Sequence, residues 1–236
     1  MKARLDKQER RNSILAAAMP LFARHGFQGT TTRRIAEAAG ISEALLYRHF
    51  ANKRDIYLAL RDFCCHGKEE VSTQVSSLPN STATLVHTVY FIMAIVFLGR
   101  EIGPRELRSR HDQLTRLMAH SILEKGNFAR TFFEYVILDW REKWAACLAA
   151  AHEAGDLDHY DPAEGDSLLF GHHLAVSLLL FTLPQHAVIP FLEKEPMRLL
   201  DQAVRFALRG MGLKEEALVR HYQPQSLMLF AQSLFR

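Results

Sequence analysis

A chain of 236 residues, 48% of them hydrophobic, is long enough to bury a sizeable core, which excludes global disorder. Three cysteines, the adjacent pair Cys64 and Cys65 and a distant Cys147, give no framework of paired disulfides and fit a reducing cytoplasm. The net charge of +3 hides an asymmetry: residues 1–68 hold 13 Lys/Arg against 6 Asp/Glu, and the remainder holds 16 against 20, so a basic N-terminal module adjoins a mildly acidic body, as expected where one end meets a polyanion.

The first eleven residues are charged throughout and lack the apolar core of a secretory signal. Asp6, with Glu9 three residues on, predicts a capping box, followed by Ile14, Ala17, Ala18, Leu21 and Phe22 at helical spacing until Gly26 stops the helix. Pro20 lies inside this pattern, where it removes a backbone donor, and predicts a kink between Ala16 and Pro20.

Residues 30–50, TTTRRIAEAAGISEALLYRHF, contain two short helical patterns meeting at one glycine. Ile35, Ala36, Ala39, Ile41, Leu46 and Phe50 are spaced to face one another across a turn, Gly40 supplies a left-handed C′ position, and Ser42 caps the second helix with Glu43 in its first turn. This is a helix-turn-helix, whose second helix is free to enter a major groove.

Groove entry needs phosphate donors and short side chains for base edges. Thr30 and Thr31 precede the first helix, Arg33 and Arg34 lie on it, Tyr47 and His49 flank the second, and Lys53 opens the following one; all are candidate backbone contacts. Ser42, Glu43, Ala44 and Leu45 are expected to face the bases. A solvated surface would account for any one of these residues, but not for the whole pattern.

Asn52 and Asp55 then predict the cap and third position of a helix carrying Ile56, Ala59, Leu60 and Phe63, expected to run into the seventies. Leu85 to Leu98, apolar nearly all round, predicts a central helix of a second domain. Gly103-Pro104 and Gly126-Asn127 bracket the next helix, and Phe128 to Ala154 predicts one long helix with Phe133, Val136, Ile137, Trp140, Trp144, Cys147, Leu148 and Ala151 at core spacing, stopped by Gly155-Asp156.

Asp161-Pro162-Ala163-Glu164 reads as a cap for a helix to about Leu183, Pro196 to Gly210 as another, and Lys214 to Arg236 as one or two short helices around Pro224. The stretches Val71 to Gly99 and Ser167 to Leu192 carry no Asp, Glu, Lys or Arg, but their polar and proline content favours buried core helices over membrane spans. With weak strand signals and no internal repeat, the chain is expected to be all-α.

The pattern Thr31-Thr32-x-x-Ile35-Ala36-x-x-Ala39-Gly40-Ile41-Ser42-x-x-x-Leu46-Tyr47-x-His49-Phe50-x-Asn52-Lys53-x-x-Ile56 resembles the signature of the TetR (tetracycline-repressor) family of bacterial transcriptional regulators. Three departures stand out: Thr32 where many members carry an apolar residue, Ala44 where glycine is frequent, and Pro20 in the first helix. The resemblance implies a three-helix DNA-binding domain over 1–68, with the motif at 31–50, and a larger helical ligand-binding and dimerisation domain over 69–236.

It further implies a cytoplasmic homodimer whose recognition helices enter successive major grooves of a palindromic double-stranded operator, about 34 Å apart. A small, hydrophobic effector in the C-terminal domain would release it. Dimerisation would fall to Pro162–Leu183 and Pro196–Gly210, and Phe91, Phe97, Phe132, Tyr135, Trp140 and Phe170 are candidate pocket residues, although an aromatic at helical spacing is more often plain core.

No cofactor is implied. His172, His173, His186 and Asp166 form the best metal candidate, but adjacent histidines on a helix point about 100° apart and do not naturally share one ion. Gly-x-Ser-x-Gly, Gly-x-Gly-x-x-Gly, a phosphate-binding Gly-Lys-Ser/Thr loop and His-Glu-x-x-His are all missing, so an enzyme is not expected. The alternative is a DNA-binding dimer without an effector, whose C-terminal domain binds a protein partner.

Overall fold

Asp6 opens the first helix by a reciprocal pair: its carboxylate accepts from the Glu9 backbone N–H at 2.7 Å, and its own N–H donates to the Glu9 carboxylate at 2.8 Å. The helix, α1 (Lys7–His25), ends at Gly26, whose φ of 65° lies in the left-handed region. Helical backbone continues through Pro20, where a kink was expected. Ala16 and Pro20 are both exposed, so water can reach the carbonyl that loses its donor. The structure, a computed structural model, describes residues 6–65, 68–102, 105–136, 140–161, 167–184, 188–189 and 195–234.

Three short helices follow: α2 (Thr32–Ala38), α3 (Glu43–His49) and α4 (Lys53–Cys64). Their caps are the predicted Ser42 and Asn52 together with Thr31, which was expected only as a phosphate contact; Thr31, Ser42 and Asn52 accept from the N–H groups of Arg34, Leu45 and Asp55 at 3.3, 3.1 and 2.9 Å. Each such cap contributes on the order of 1 kcal/mol, a large share of the stability of a seven-residue helix. The chain then turns with Ile41 N–H donating to Ala36 and Gly40 N–H to Glu37, the paired bonds of a Schellman closure that needs the φ of 65° found at Gly40.

Two helices differ from expectation. α4 ends at Cys64 instead of running into the seventies, and α5 (Lys68–Ser77) starts afresh. The predicted long helix from Phe128 to Ala154 is two helices, α8 (Asn127–Val136) and α9 (Arg141–Glu153), with Trp140 opening the second. The others are α6 (Thr82–Ile102), α7 (Arg105–Leu123), α10 (Ser167–Thr182), α11 (Pro196–Gly210), α12 (Glu215–His221) and α13 (Pro224–Ser233). Among the described residues there are no strands, only one isolated bridge between Leu157 and Leu213. The Pro162 to Glu164 cap and the Gly103-Pro104 helix start lie outside the described residues.

By packing, the chain forms two compact units: Met1–His66 with Arg110–Leu138, and Gly67–Ser109 with Asp139–Arg236. Arg110–Leu138, expected in the C-terminal domain, therefore packs with the N-terminal segment. Its Leu117 and Phe128 are fully buried in one core with Ile14, Phe22, Ile35, Leu46, Ile56 and Leu60. The aromatic rings of Phe22, Phe27 and Phe128 all meet Tyr57, at centroid distances of 5.0, 5.0 and 5.5 Å. Such contacts each add about 0.5–1.5 kcal/mol beyond area burial.

In the second unit α6 is the central element, packed by α9, α10, α11, α12 and α13. It is long and apolar enough to cross a membrane by composition, and 78% of that window is buried within the protein. Asp156, also buried, ties the ends of this unit together: it accepts from the Thr82 hydroxyl at 2.6 Å and from Arg220 at 3.0 Å. Burial alone would push its carboxyl up, but the Thr82 hydroxyl, Arg220 and His221 outweigh that and hold it below the ordinary carboxylate value.

Candidate nucleic-acid interface

The outer surface of α2 and α3 is held by hydrogen bonds between polar side chains. The Thr32 hydroxyl donates to Glu43 at 2.6 Å and lies 3.2 Å from the Tyr47 hydroxyl, so one residue of α2 fixes two on the exposed side of α3. Ser42, Ala44 and Tyr47 are exposed and Glu43 and Leu45 half-buried, while Leu46 alone on α3 is fully buried and anchors it. The far end of α3 is capped by Arg11, whose guanidinium donates to the His49 carbonyl oxygen and lies 4.1 Å over the Phe50 ring.

Several expected phosphate contacts acquire other duties. Thr30 is fully buried, and its hydroxyl donates to the carbonyls of Gly26 at 2.8 Å and Leu21 at 3.2 Å, so it secures the α1–α2 connection and is no longer a candidate phosphate donor. The Lys53 ammonium donates at 2.8 Å to the carbonyls of both Phe27 and Thr30 and sits 4.3 Å over the Phe27 ring. Burial lowers its pKa, partly countered by Glu124. Thr31 is exposed at its cap, Arg34 is exposed, and Arg33 is exposed in an ion pair with Glu37 at 3.0 Å.

Sequence reasoning missed Arg48 and the start of α1. Burial, followed by the fields of Arg11, Arg10, Arg48 and Lys7, lowers the His49 pKa. Four cations acting on one imidazole mark a basic cluster where α1 begins and α3 ends. The signal for Arg48 was its spacing, four residues after Ala44 and three after Leu45 on one helical face. Asp6 and Glu9 share this end of α1, yet all the charges that act on His49 are positive, and such a surface suits a polyanion.

Of the six aromatic pocket candidates, Phe91, Phe97, Trp140 and Phe170 fall in the second unit and Phe132 and Tyr135 in the first. Phe91 and Trp140 stack at 5.8 Å in the core of the second unit, where the Trp140 indole N–H donates to Ser72 and Phe97 is also buried. Phe132 and Tyr135 belong to the first unit, Phe132 packing on its core and Tyr135 lying under Arg61. Phe170 is 74% exposed. The split between α8 and α9 is the physical reason, since it assigns residues expected on one helix to two units. For the metal candidate, His186 and Asp166 lie outside the described residues.

This helix-turn-helix, with polar caps, a buried anchor and a basic flank, defines a DNA-binding regulator. Residues 14–60 match the family described as bacterial regulatory proteins, tetR family. The chain is 34% identical over 159 residues to the HTH-type transcriptional regulator HbdR of Aromatoleum sp. (strain CIB), an alignment covering 58% of this chain and 69% of that protein. It is 43% identical over 51 residues to the HTH-type transcriptional repressor AcnR of Corynebacterium diphtheriae, covering 22% of this chain and 27% of that one.

The crystal structure of AibR in complex with isovaleryl coenzyme A and operator DNA shares the fold, with a TM-score of 0.59 at 19% identity over 84% of this chain and 97% of that one. The chain belongs to the TetR family of bacterial transcriptional regulators.

Proposed function

We propose that this protein is a cytoplasmic homodimeric repressor that binds a palindromic operator and is released by a small effector. The observation that carries the reading is the surface of α3: Ser42, Ala44, Tyr47 and Arg48 face outward while Leu46 and the Arg11 cap hold the helix in place. In this reading Ser42, Glu43, Ala44 and Leu45 meet the bases. Thr31, Arg33, Arg34, Tyr47, His49 and Arg48 meet the phosphates, and Lys53 contributes chiefly by fixing the loop before α2.

Exposed apolar residues on α10 and α11 support dimerisation through those helices. Phe170 and Phe206 are 74% and 70% exposed, and Leu180 and Phe181 on α10 and Met197 on α11 are exposed as well. Side chains of this size, left to water on two adjacent helices, fit a face that a second copy covers. The repressive sign follows AcnR, and release by a small molecule follows the ligand-bound AibR. The three free cysteines agree with a reducing compartment.

Exposed Val219 on α12 and Leu229 on α13 favour a second reading, a dimer without effector whose C-terminal unit docks a protein partner. Selection of bound fragments from a genomic library tests DNA recognition. An enriched palindrome with two half-sites about one helical turn apart supports the proposal, and recovery without sequence preference sinks it. A thermal-shift screen of small lipophilic compounds separates the two readings: stabilisation that also lowers operator affinity favours the effector, and consistent silence favours the partner.

A further inference from the structure

The first unit contains a cavity of about 210 Å³ lined by Phe27 and Gln28 from the α1–α2 connection, Arg54 and Tyr57 from α4, Ser121 and Glu124 from the end of α7, and the turn into α8. Its volume exceeds the roughly 150 Å³ that holds benzene in an engineered apolar cavity. Phe27 and Tyr57, with ring centroids 5.0 Å apart, give it aromatic walls. Arg54 and Lys125 supply two positive charges against one negative charge from Glu124. Tyr57 is only 3% exposed, and although the Ser121 side chain lies close enough to act on its phenol, no group of the protein completes a hydrogen bond with that hydroxyl in good geometry. A buried phenol in that condition carries a cost on the order of 1–3 kcal/mol unless something else accepts its proton.

We infer that this cavity is a binding site for a small organic anion with a flat apolar body, and that its occupation lowers operator affinity. The apolar body would lie against Phe27 and Tyr57, and the anionic group would accept from the Tyr57 hydroxyl between Arg54 and Lys125. Burial raises the Tyr57 pKa, with Ser121 opposing and Glu124 adding to the rise, so the phenol keeps its proton as a donor.

The link to DNA is short: Phe27 and Gln28 lie within four residues of the Thr31 cap of α2, and Lys53 holds the Phe27 and Thr30 carbonyls of the same loop. Gly26, whose φ of 65° favours glycine, borders this wall, and a Cβ there would make the Glu124 carboxylate shift. A ligand that displaces Phe27 or Gln28 therefore acts on the entry to the helix-turn-helix without passing through the second unit.

The regulatory half of this inference rests on the reading of the first unit as the DNA-binding head. The test uses the full chain with 2-naphthoate as probe and 2-naphthamide as its uncharged counterpart. Amide NMR should reveal saturable shifts at Phe27, Gln28, Tyr57 and Gly126, with a Kd on the order of 1 mM. The naphthamide should bind at least tenfold more weakly, and Arg54→Gln combined with Lys125→Gln should raise the naphthoate Kd about tenfold. Tyr57→Phe should raise it a few-fold while leaving the fold intact.

Fluorescence anisotropy on the selected operator should then show several-fold weaker DNA binding at saturating naphthoate. Equal binding of the amide, shifts confined to other residues, or saturation without change in operator affinity would each overturn the inference. These failures leave the repressor reading standing, which fails separately if the unliganded chain prefers no genomic sequence.

Discussion

Thr32 and Glu43, on opposite sides of the turn, share a hydrogen bond of 2.6 Å that joins the start of α2 to the first turn of α3. Glu43, expected among the base-facing residues, is thus oriented by a neighbour, and Tyr47 lies against the same hydroxyl. The departure of Thr32 from the common apolar residue is what makes this link possible. Thr32→Val should destabilise the first unit by about 1–2 kcal/mol in urea unfolding, as expected for a hydrogen bond to a charged group, and Thr32→Ser should recover most of it. Matching stability of the valine and serine variants would show that the link contributes nothing.

Lys53 and Arg48 should separate in their salt dependence. Arg48→Ala removes an exposed cation and should reduce the slope of log K against log salt by about 0.9, with weakening across all operator sequences. Lys53→Met should cost about 2 kcal/mol of unfolding free energy, because two carbonyls lose an ionic donor, while changing the slope less than Arg48→Ala does. A larger slope change for Lys53 would restore it as a direct phosphate contact.

The dimer face can be tested without touching the core. Phe170→Glu with Phe206→Glu should yield monomers by light scattering with unchanged helical content, since both rings are exposed. Leu179→Arg is unsuitable for this purpose: Leu179 is 3% exposed, so a charge there should unfold the second unit. Dimers that persist in the double glutamate variant would move the interface elsewhere.

Burial, and next the neighbouring His173, push the His172 pKa down to about 4 from an ordinary 6.5. The unfolded chain then binds a proton that the folded chain refuses over this interval, so the stabilisation is complete above about pH 6.5 and falls progressively toward pH 4. The loss amounts to about 3 kcal/mol at its acid limit. His172→Leu should flatten that part of the stability profile, and an unchanged acid slope would assign the effect to other groups.

Local chemistry made the helix-turn-helix readable in advance. Ser42 and Asn52 cap because their side chains reach N–H groups three residues on, and Gly40 ends α2 because the turn needs a left-handed residue; both depend on neighbours in sequence. The fates of Thr30 and Lys53 depended on carbonyls up to 26 residues away, which no spacing discloses. The break between α8 and α9 was hidden for a similar reason: Phe128 and Trp144 are both buried and both suit a helix, but they pack into different units. Arg48 shares a helical face with Ala44 and Leu45, so its place on the outer surface of α3 is legible from spacing alone.

Leu117 and Phe128, buried in the same core as Leu46, have a consequence for anyone who would transplant the specificity of this protein. Cutting the chain at residue 68 leaves the recognition helix attached to a raw apolar face, because the helical hairpin that covers it arrives some forty residues later. A portable reading head must therefore be assembled from two pieces of chain, and a chimera made by a single crossover should be insoluble however well its α3 is chosen.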